Sequence, residues 1–193
     1  MAFVTTYSRF TSPIGAWLLV SDGESLTGVF PESHRAVPEV TDGWRRDDAF
    51  FAGVRDQFNE YFAGRLMDFK VRLAPRGTHF QRRVWDALRE IPLGTTTSYG
   101  ALAAHLGNSA ASRAVGAANG KNPISLIVPC HRVIGAGGSL TGYAGGLELK
   151  QWLLEHEATT ARRSAGGVTP PAERRAVVAS CSSNHCFNSR PPA

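Results

Sequence analysis

The sequence predicts an α+β protein: a small N-terminal α/β domain with an antiparallel sheet and a helix, then a mostly helical C-terminal domain with a helix-turn-helix. Two observations carry this. The first 75 residues alternate short β-prone runs with turn residues around one amphipathic segment. From Thr78 onward the pattern becomes short, capped, alanine-rich helices. The 193 residues are enough for two small domains, and 42% hydrophobic with 19% charged composition reads as globular. We place the domains at 1–75 and 76–158, with a disordered tail at 159–193.

The runs AFVTTYSRF, GAWLLVSDG and SLTGVF predict three strands, joined by turns at Pro13-Ile14-Gly15 and Asp22-Gly23. Phe51, Val54, Phe58, Tyr61 and Phe62 recur at helical spacing, so a helix spans about Asp48 to Ala63 and stops at Gly64. MDFKVRLAP predicts a further short strand. In the second half, Thr78 and Gln81 form a capping box for a helix whose stripe is Phe80, Val84, Leu88 and Ile91, ended by Pro92 and Gly94. Ser98 caps SYGALAAHLG, Gly107 stops it, and NSAASRAVGAANG supplies a second helix stopped by Gly120. Joined by a tight turn, the two predict a helix-turn-helix. A last helix runs from about Leu147 to His156, burying Leu149, Trp152 and Leu153.

Charge is uneven. Residues 1–71 hold 7 basic and 10 acidic side chains, whereas residues 72–150 hold 9 basic and 3 acidic ones. A basic second half suits either a polyanion partner or an ordinary solvated face. No apolar run approaches the ~20 residues of a membrane span, and the first residues do not read as a secretory signal. Three cysteines make no disulfide framework. A cytoplasmic, reducing setting is the expectation. Cys181, His185 and Cys186 lack a second ligand pair, so no metal is expected there.

Cys130, in SLIVPCHRVIG, is the only cysteine before the tail. Taken alone it is a nucleophile, a metal ligand or a core residue. His131, Arg132 and helix N-termini would each favour a reactive thiolate. The helix bearing Ala110, Ala111, Ala114, Gly116 and Ala117 has small residues that permit close groove approach without reading bases, and Arg113 is its one large side chain before Lys121. That composition fits sequence-independent DNA contact better than an operator-reading regulator. Nothing announces the oxyanion hole of a cysteine peptidase.

IVPCHRVIG, followed by GSLTGYAGGLELKQWLLEHE and preceded by TTSYGALAAHLGNSAASRAVGAANGKNPI, closely resembles the O6-alkylguanine-DNA alkyltransferases, the methylated-DNA–protein-cysteine methyltransferases. The resemblance covers roughly residues 3 to 157. It implies a stand-alone repair protein that flips an alkylated guanine out of double-stranded DNA and takes the alkyl group irreversibly onto a cysteine, with no cofactor. Position by position it implies Cys130 as acceptor, His131 as base through a bridging water, Glu157 as the acid that polarises His131, and Asn122 as a brace. Tyr99 would donate to N3 of the flipped guanine, and Arg113 would fill the gap in the base stack. Ala114, Gly116, Ala117 and Lys121 would meet the DNA, from the minor groove and largely without regard to sequence. Pro129, Val133, Tyr143 and Ala144 would line the pocket, Ala144 standing where some relatives carry serine. The protein would act as a monomer on O6-alkylguanine, with O4-methylthymine as a further candidate substrate. The alternative within this resemblance is a non-catalytic lesion-binding protein, which Cys130 disfavours. No counterpart of the tail is recognised.

Overall fold

A computed structural model describes residues 4–166. Strands β1 (Thr6–Ser12), β2 (Gly15–Ser21) and β3 (Leu26–Pro31) form an antiparallel meander. Their turns fall at the predicted places, with Gly15 and Gly23 at φ +112° and +99°, where a Cβ would be strained. The short β4 (Arg45–Arg46), unsuspected in the sequence, pairs parallel with β1. The sheet, in order β3-β2-β1-β4, is therefore mixed and not purely antiparallel.

Helix α1 (Ala52–Phe62) lies against the sheet and buries Val54, Phe58 and Tyr61. Phe58 meets Phe10 and Trp17 edge-on at ring centroids of 5.5 and 5.9 Å, an arrangement that adds to the area these rings bury. The segment 67–75 does not form the predicted strand. Only Leu73 bridges Leu26, through hydrogen bonds that flank it at Arg72 and Ala74. Lys70 is instead turned toward α1, where Gln57 takes its backbone N–H and donates to its C=O.

In the second half α2 (His79–Arg89) starts on the reciprocal Thr78–Gln81 capping box. Val84 and Leu88 are fully buried, but Phe80, placed in the stripe by its spacing, is 36% exposed; Trp85 takes the interior position. Its indole Nε1 donates to Ala118 O (2.9 Å), a bond that gives the large ring a polar tether as well as a core site. Strand β5 (Thr97–Ser98) leads into α3 (Tyr99–His105), with Ser98 Oγ accepting from Ala101 N. After Gly107 at φ +87° a single 3-10 turn, Ser109–Ala111, precedes α4 (Ser112–Asn119). The helix-turn-helix is thus present, with its second helix shorter than its sequence run. Another 3-10 turn, Cys130–Arg132, opens into β6 (Val133–Ile134), parallel to β5.

The last helix, α5 (Leu147–Ser164), runs eight residues beyond the predicted end at His156. Residues 159–164, assigned to the tail, are helical because the helix still has a surface to cover. Thr160 is buried there, and Gly64 beyond α1 packs so closely that a Cβ would sit 3.1 Å from Thr160 Oγ1. The buried side of α5 is also not the expected apolar one: Lys150, Leu153, Glu157 and Thr160 point inward, while Leu149 and Trp152 are half-buried. The remainder of the tail, with Cys181, His185 and Cys186, lies outside the described residues. Among the described residues no helix is long and apolar enough to cross a membrane.

Candidate active site

The cysteine loop is pinned to the edge of the first sheet. Val29 N donates to Pro123 O (2.8 Å) and Ser125 N to Val29 O (3.0 Å), so β3 holds the chain as it enters the loop. Leu126 then adopts φ 75°, the one positive φ of a non-glycine residue among those described. A left-handed leucine costs about 1–2 kcal/mol; the buried surroundings of Leu126 hold it there, and the reversal aims residues 128–132 inward.

Asn122 organises the loop around this reversal. Its Oδ1 accepts from Ile124 N (3.0 Å), and its Nδ2 donates to Val128 O (2.8 Å) and to Cys130 Sγ (3.1 Å). One amide therefore sets the loop and aims an N–H at the sulfur. Asn119, from α4, donates to Cys130 O (3.3 Å). Cys130 itself is 5% exposed. Burial pushes its thiol up, against the Asn122 hydrogen bond and the charge of Lys150, which pull it down; the net direction is up. The resting side chain is therefore a neutral thiol, not a standing thiolate.

His131 and Glu157 are both fully buried and meet at 2.9 Å through Nε2 and Oε1. Glu157 is crowded with donors. Arg132 Nε reaches Oε2 and Arg132 Nη2 reaches Oε1, each at 2.8 Å; Tyr61 OH donates to Oε1 (2.9 Å), and Gly94 N lies 3.4 Å from Oε2. Burial works against its charge, but the attraction and hydrogen bonds of His131 and Arg132 outweigh it. The carboxyl titrates far below the usual carboxylate range. With Glu157 ionised, His131 donates from Nε2, which leaves Nδ1 as the lone pair; Nδ1 is buried and has no hydrogen-bond partner among the described residues. Burial lowers the imidazole's proton affinity more than Glu157 raises it, so His131 rests neutral.

Sequence adjacency misleads at Arg132. Expected beside the thiol, it is spent on Glu157 and on Ile91 O, because successive side chains of a 3-10 turn diverge. The cation felt at Cys130 is Lys150, which sequence reasoning missed. Fully buried, its Nζ donates to Val133 O and Thr141 O, both at 2.6 Å. The only available signal was its position three residues before Leu153 and seven before Glu157 on one helical face.

The remaining predicted residues divide between the surroundings of the cysteine turn and an outer face. Tyr99, half-buried at the start of α3, donates to Thr141 O (3.3 Å). Tyr143 stands edge-on to His131 at 6.4 Å, and Pro129 and Val133 are buried beside the thiol's own turn. Ala144 is half-buried, its carbonyl taken by Arg35 N (3.1 Å). On α4 the inward residues are Val115, Ala118 and Asn119; Arg113, Ala114 and Ala117 are exposed, as is Lys121 just beyond. Gly116 turns sideways to Tyr99, whose ring a Cβ would meet at 3.6 Å.

Two family models match successive stretches of this architecture. Residues 5–75 match the ribonuclease-like domain of 6-O-methylguanine DNA methyltransferase, and residues 79–159 match its DNA binding domain. The chain belongs to the 6-O-methylguanine DNA methyltransferase family. Within that family it is 52% identical over 153 residues to the methylated-DNA–protein-cysteine methyltransferase of Methanosarcina acetivorans, covering 79% of this chain and 98% of that one. The protein of the same description from Mycobacterium tuberculosis is 51% identical over 155 residues, covering 80% and 93%. Among solved structures, the crystal structure of Mycobacterium tuberculosis OGT in complex with DNA is similar with a TM-score of 0.75 at 49% identity, over 80% of this chain and 94% of that one. This family member therefore shares the α+β fold of those relatives over nearly all of its described length.

Proposed function

We propose that this protein repairs DNA by transferring a methyl or larger alkyl group from O6 of guanine to Cys130 Sγ, irreversibly and once per molecule. The observation that carries the reading is the buried chain Asn122–Cys130 with His131–Glu157 beside it: a thiol with an amide aimed at its sulfur, and a neutral imidazole whose free nitrogen lies in the same interior. Cys130 gives its proton to His131 Nδ1 through a bridging water, and Glu157 stabilises the imidazolium. The thiolate attacks the alkyl carbon opposite O6. The S–C bond forms as the C–O bond breaks, its electron pair passes to the base, and a proton returned to the purine completes guanine. No external group enters the balance, which fits a reaction without a cofactor.

The family resemblance and the exposed row on α4 support DNA as the partner. Arg113 fills the space left by the extruded base, and Ala114, Gly116 and Ala117 permit close approach in the minor groove. Lys121 meets phosphate. Tyr99 exchanges its contact with Thr141 O for N3 of the guanine; Pro129, Val133, Tyr143 and Ala144 enclose the ring. Residues 1–75 support the site and 76–158 carry contact and transfer, as a monomer in the cytoplasm. O4-methylthymine is a second substrate of the same geometry. A purely lesion-binding protein has no need of the Asn122–Cys130–His131 arrangement.

The test is intact mass after incubation with duplex DNA containing O6-methylguanine. A gain of one CH2 unit, mapped to Cys130, is expected; the same gain at another residue, or none, overturns the assignment.

A further inference from the structure

Tyr61 belongs to α1, in the first half of the chain, yet its hydroxyl ends on the catalytic carboxylate. Three donors converge on Glu157 Oε1: Tyr61 OH at 2.9 Å, His131 Nε2 at 2.9 Å and Arg132 Nη2 at 2.8 Å. They come from three separate side chains, and one oxygen has too few lone pairs to serve all three at full strength. Tyr61 is fastened where it stands. It is buried, its own backbone carbonyl accepts from His156 Nε2 (2.7 Å), the residue next to Glu157, and its ring packs on His156 at 5.2 Å. The hydrogen bond and the packing hold α5 at consecutive positions.

Resting on the transfer reading above, we propose that Tyr61 is a positioning residue of the transfer site: it fixes the Glu157 carboxylate against His131 and limits how much of the carboxylate's charge the imidazole draws. The first 75 residues then contribute directly to the proton relay. Burial and the neighbouring charge of Glu157 keep the phenol protonated, so it acts only as a donor. Among the described residues, the other charged or titratable groups facing the relay are Arg132 from the 3-10 turn, Lys150 on α5, Cys130 and Tyr143, with His156 against the Tyr61 ring. None of them changes when the Tyr61 hydroxyl alone is removed.

The sign follows from competition. Deleting the phenol hydrogen bond returns electron density to Oε1, strengthens its hold on the His131 Nε2–H and makes Nδ1 more basic. In Tyr61→Phe the His131 titration, read by ¹⁵N NMR of histidine-labelled full-length protein, moves to higher pH by about half a unit or more. Replacing Tyr61 with 3-fluorotyrosine, a stronger donor of nearly the same shape, moves it to lower pH. The acid limb of the single-turnover transfer rate follows both shifts. A folded Tyr61→Phe protein with an unmoved His131 midpoint overturns the proposal, as does a fluorotyrosine shift of the same sign, which also decides the matter should Tyr61→Phe fail to fold. The NMR titration needs no alkyl transfer. Shifts of the expected sign without any CH2 gain in the unmodified protein would sink the transfer reading and leave the Tyr61 coupling standing.

Discussion

His131 Nε2 and Glu157 Oε1 lie 2.9 Å apart with both side chains wholly out of solvent. That single contact decides the tautomer of His131, and it couples a turn late in the chain to the middle of the last helix.

Glu157→Gln removes the charge but keeps the shape. Arg132 is then a buried guanidinium without a counter-charge, a loss of ~3–5 kcal/mol for a broken buried pair. Urea denaturation will show destabilisation of that order, and transfer in the folded fraction will fall because His131 loses the partner that stabilises its protonated form.

The pH dependence has a definite sign. Burial lowers the His131 pKa below its ordinary ~6.5, so the unfolded chain binds its proton first and acid destabilises the fold from about that pH downward. Glu157, depressed in the folded state, contributes stability that is complete above its ordinary ~4.3 and is lost as pH falls below it. The transfer rate stays level through neutrality and declines only below the usual histidine range. A decline already at about pH 7.5 in single-turnover assays, a full unit above the ordinary histidine value, would contradict the neutral resting imidazole.

Lys150→Met leaves the carbonyls of Val133 and Thr141 without their ammonium donor. A buried acceptor left unsatisfied costs about 1–3 kcal/mol. The same change takes a positive charge from the neighbourhood of Cys130. Burial pulls the Lys150 ammonium down to about 8, so below that pH Cys130 alkylation by iodoacetamide slows in the variant, and an unchanged rate would show that the lysine acts on the loop alone.

Arg113→Ala slows repair of duplex DNA more than reaction with free O6-benzylguanine, because only the duplex requires a base to be unstacked, at a few kcal/mol. Lys121→Ala weakens duplex binding and flattens its salt dependence by about one phosphate contact. Equal losses of Arg113→Ala on both substrates would remove that residue from the flipping step.

Much of the fold was legible because local rules act over a few residues. The Thr78–Gln81 box, the Ser98 cap and the turns at Gly15, Gly23 and Gly107 needed only nearest neighbours to be recognised. Phe80 was misplaced because a hydrophobic spacing does not say which of two large residues on one helix, Phe80 or Trp85, has a polar tether waiting inside. The strand at 67–75 failed because residue preference cannot supply a partner along its whole length. Helix α5 outran its apolar pattern because, Leu153 apart, its buried face is polar.

By itself the sequence determined the two-part α+β plan, the capped helices, and the Cys130-His131 pair with Asn122 upstream and Glu157 downstream. Only the tertiary structure decided where the charges went. It turned Arg132 from the thiol to Glu157, brought Lys150 inside, and delivered Tyr61 across 96 residues of chain to the buried Glu157 carboxylate. The physical reason is that a buried ion must be matched by whichever groups the packing brings within about 3 Å. Neighbours in the chain have no privilege in that contest.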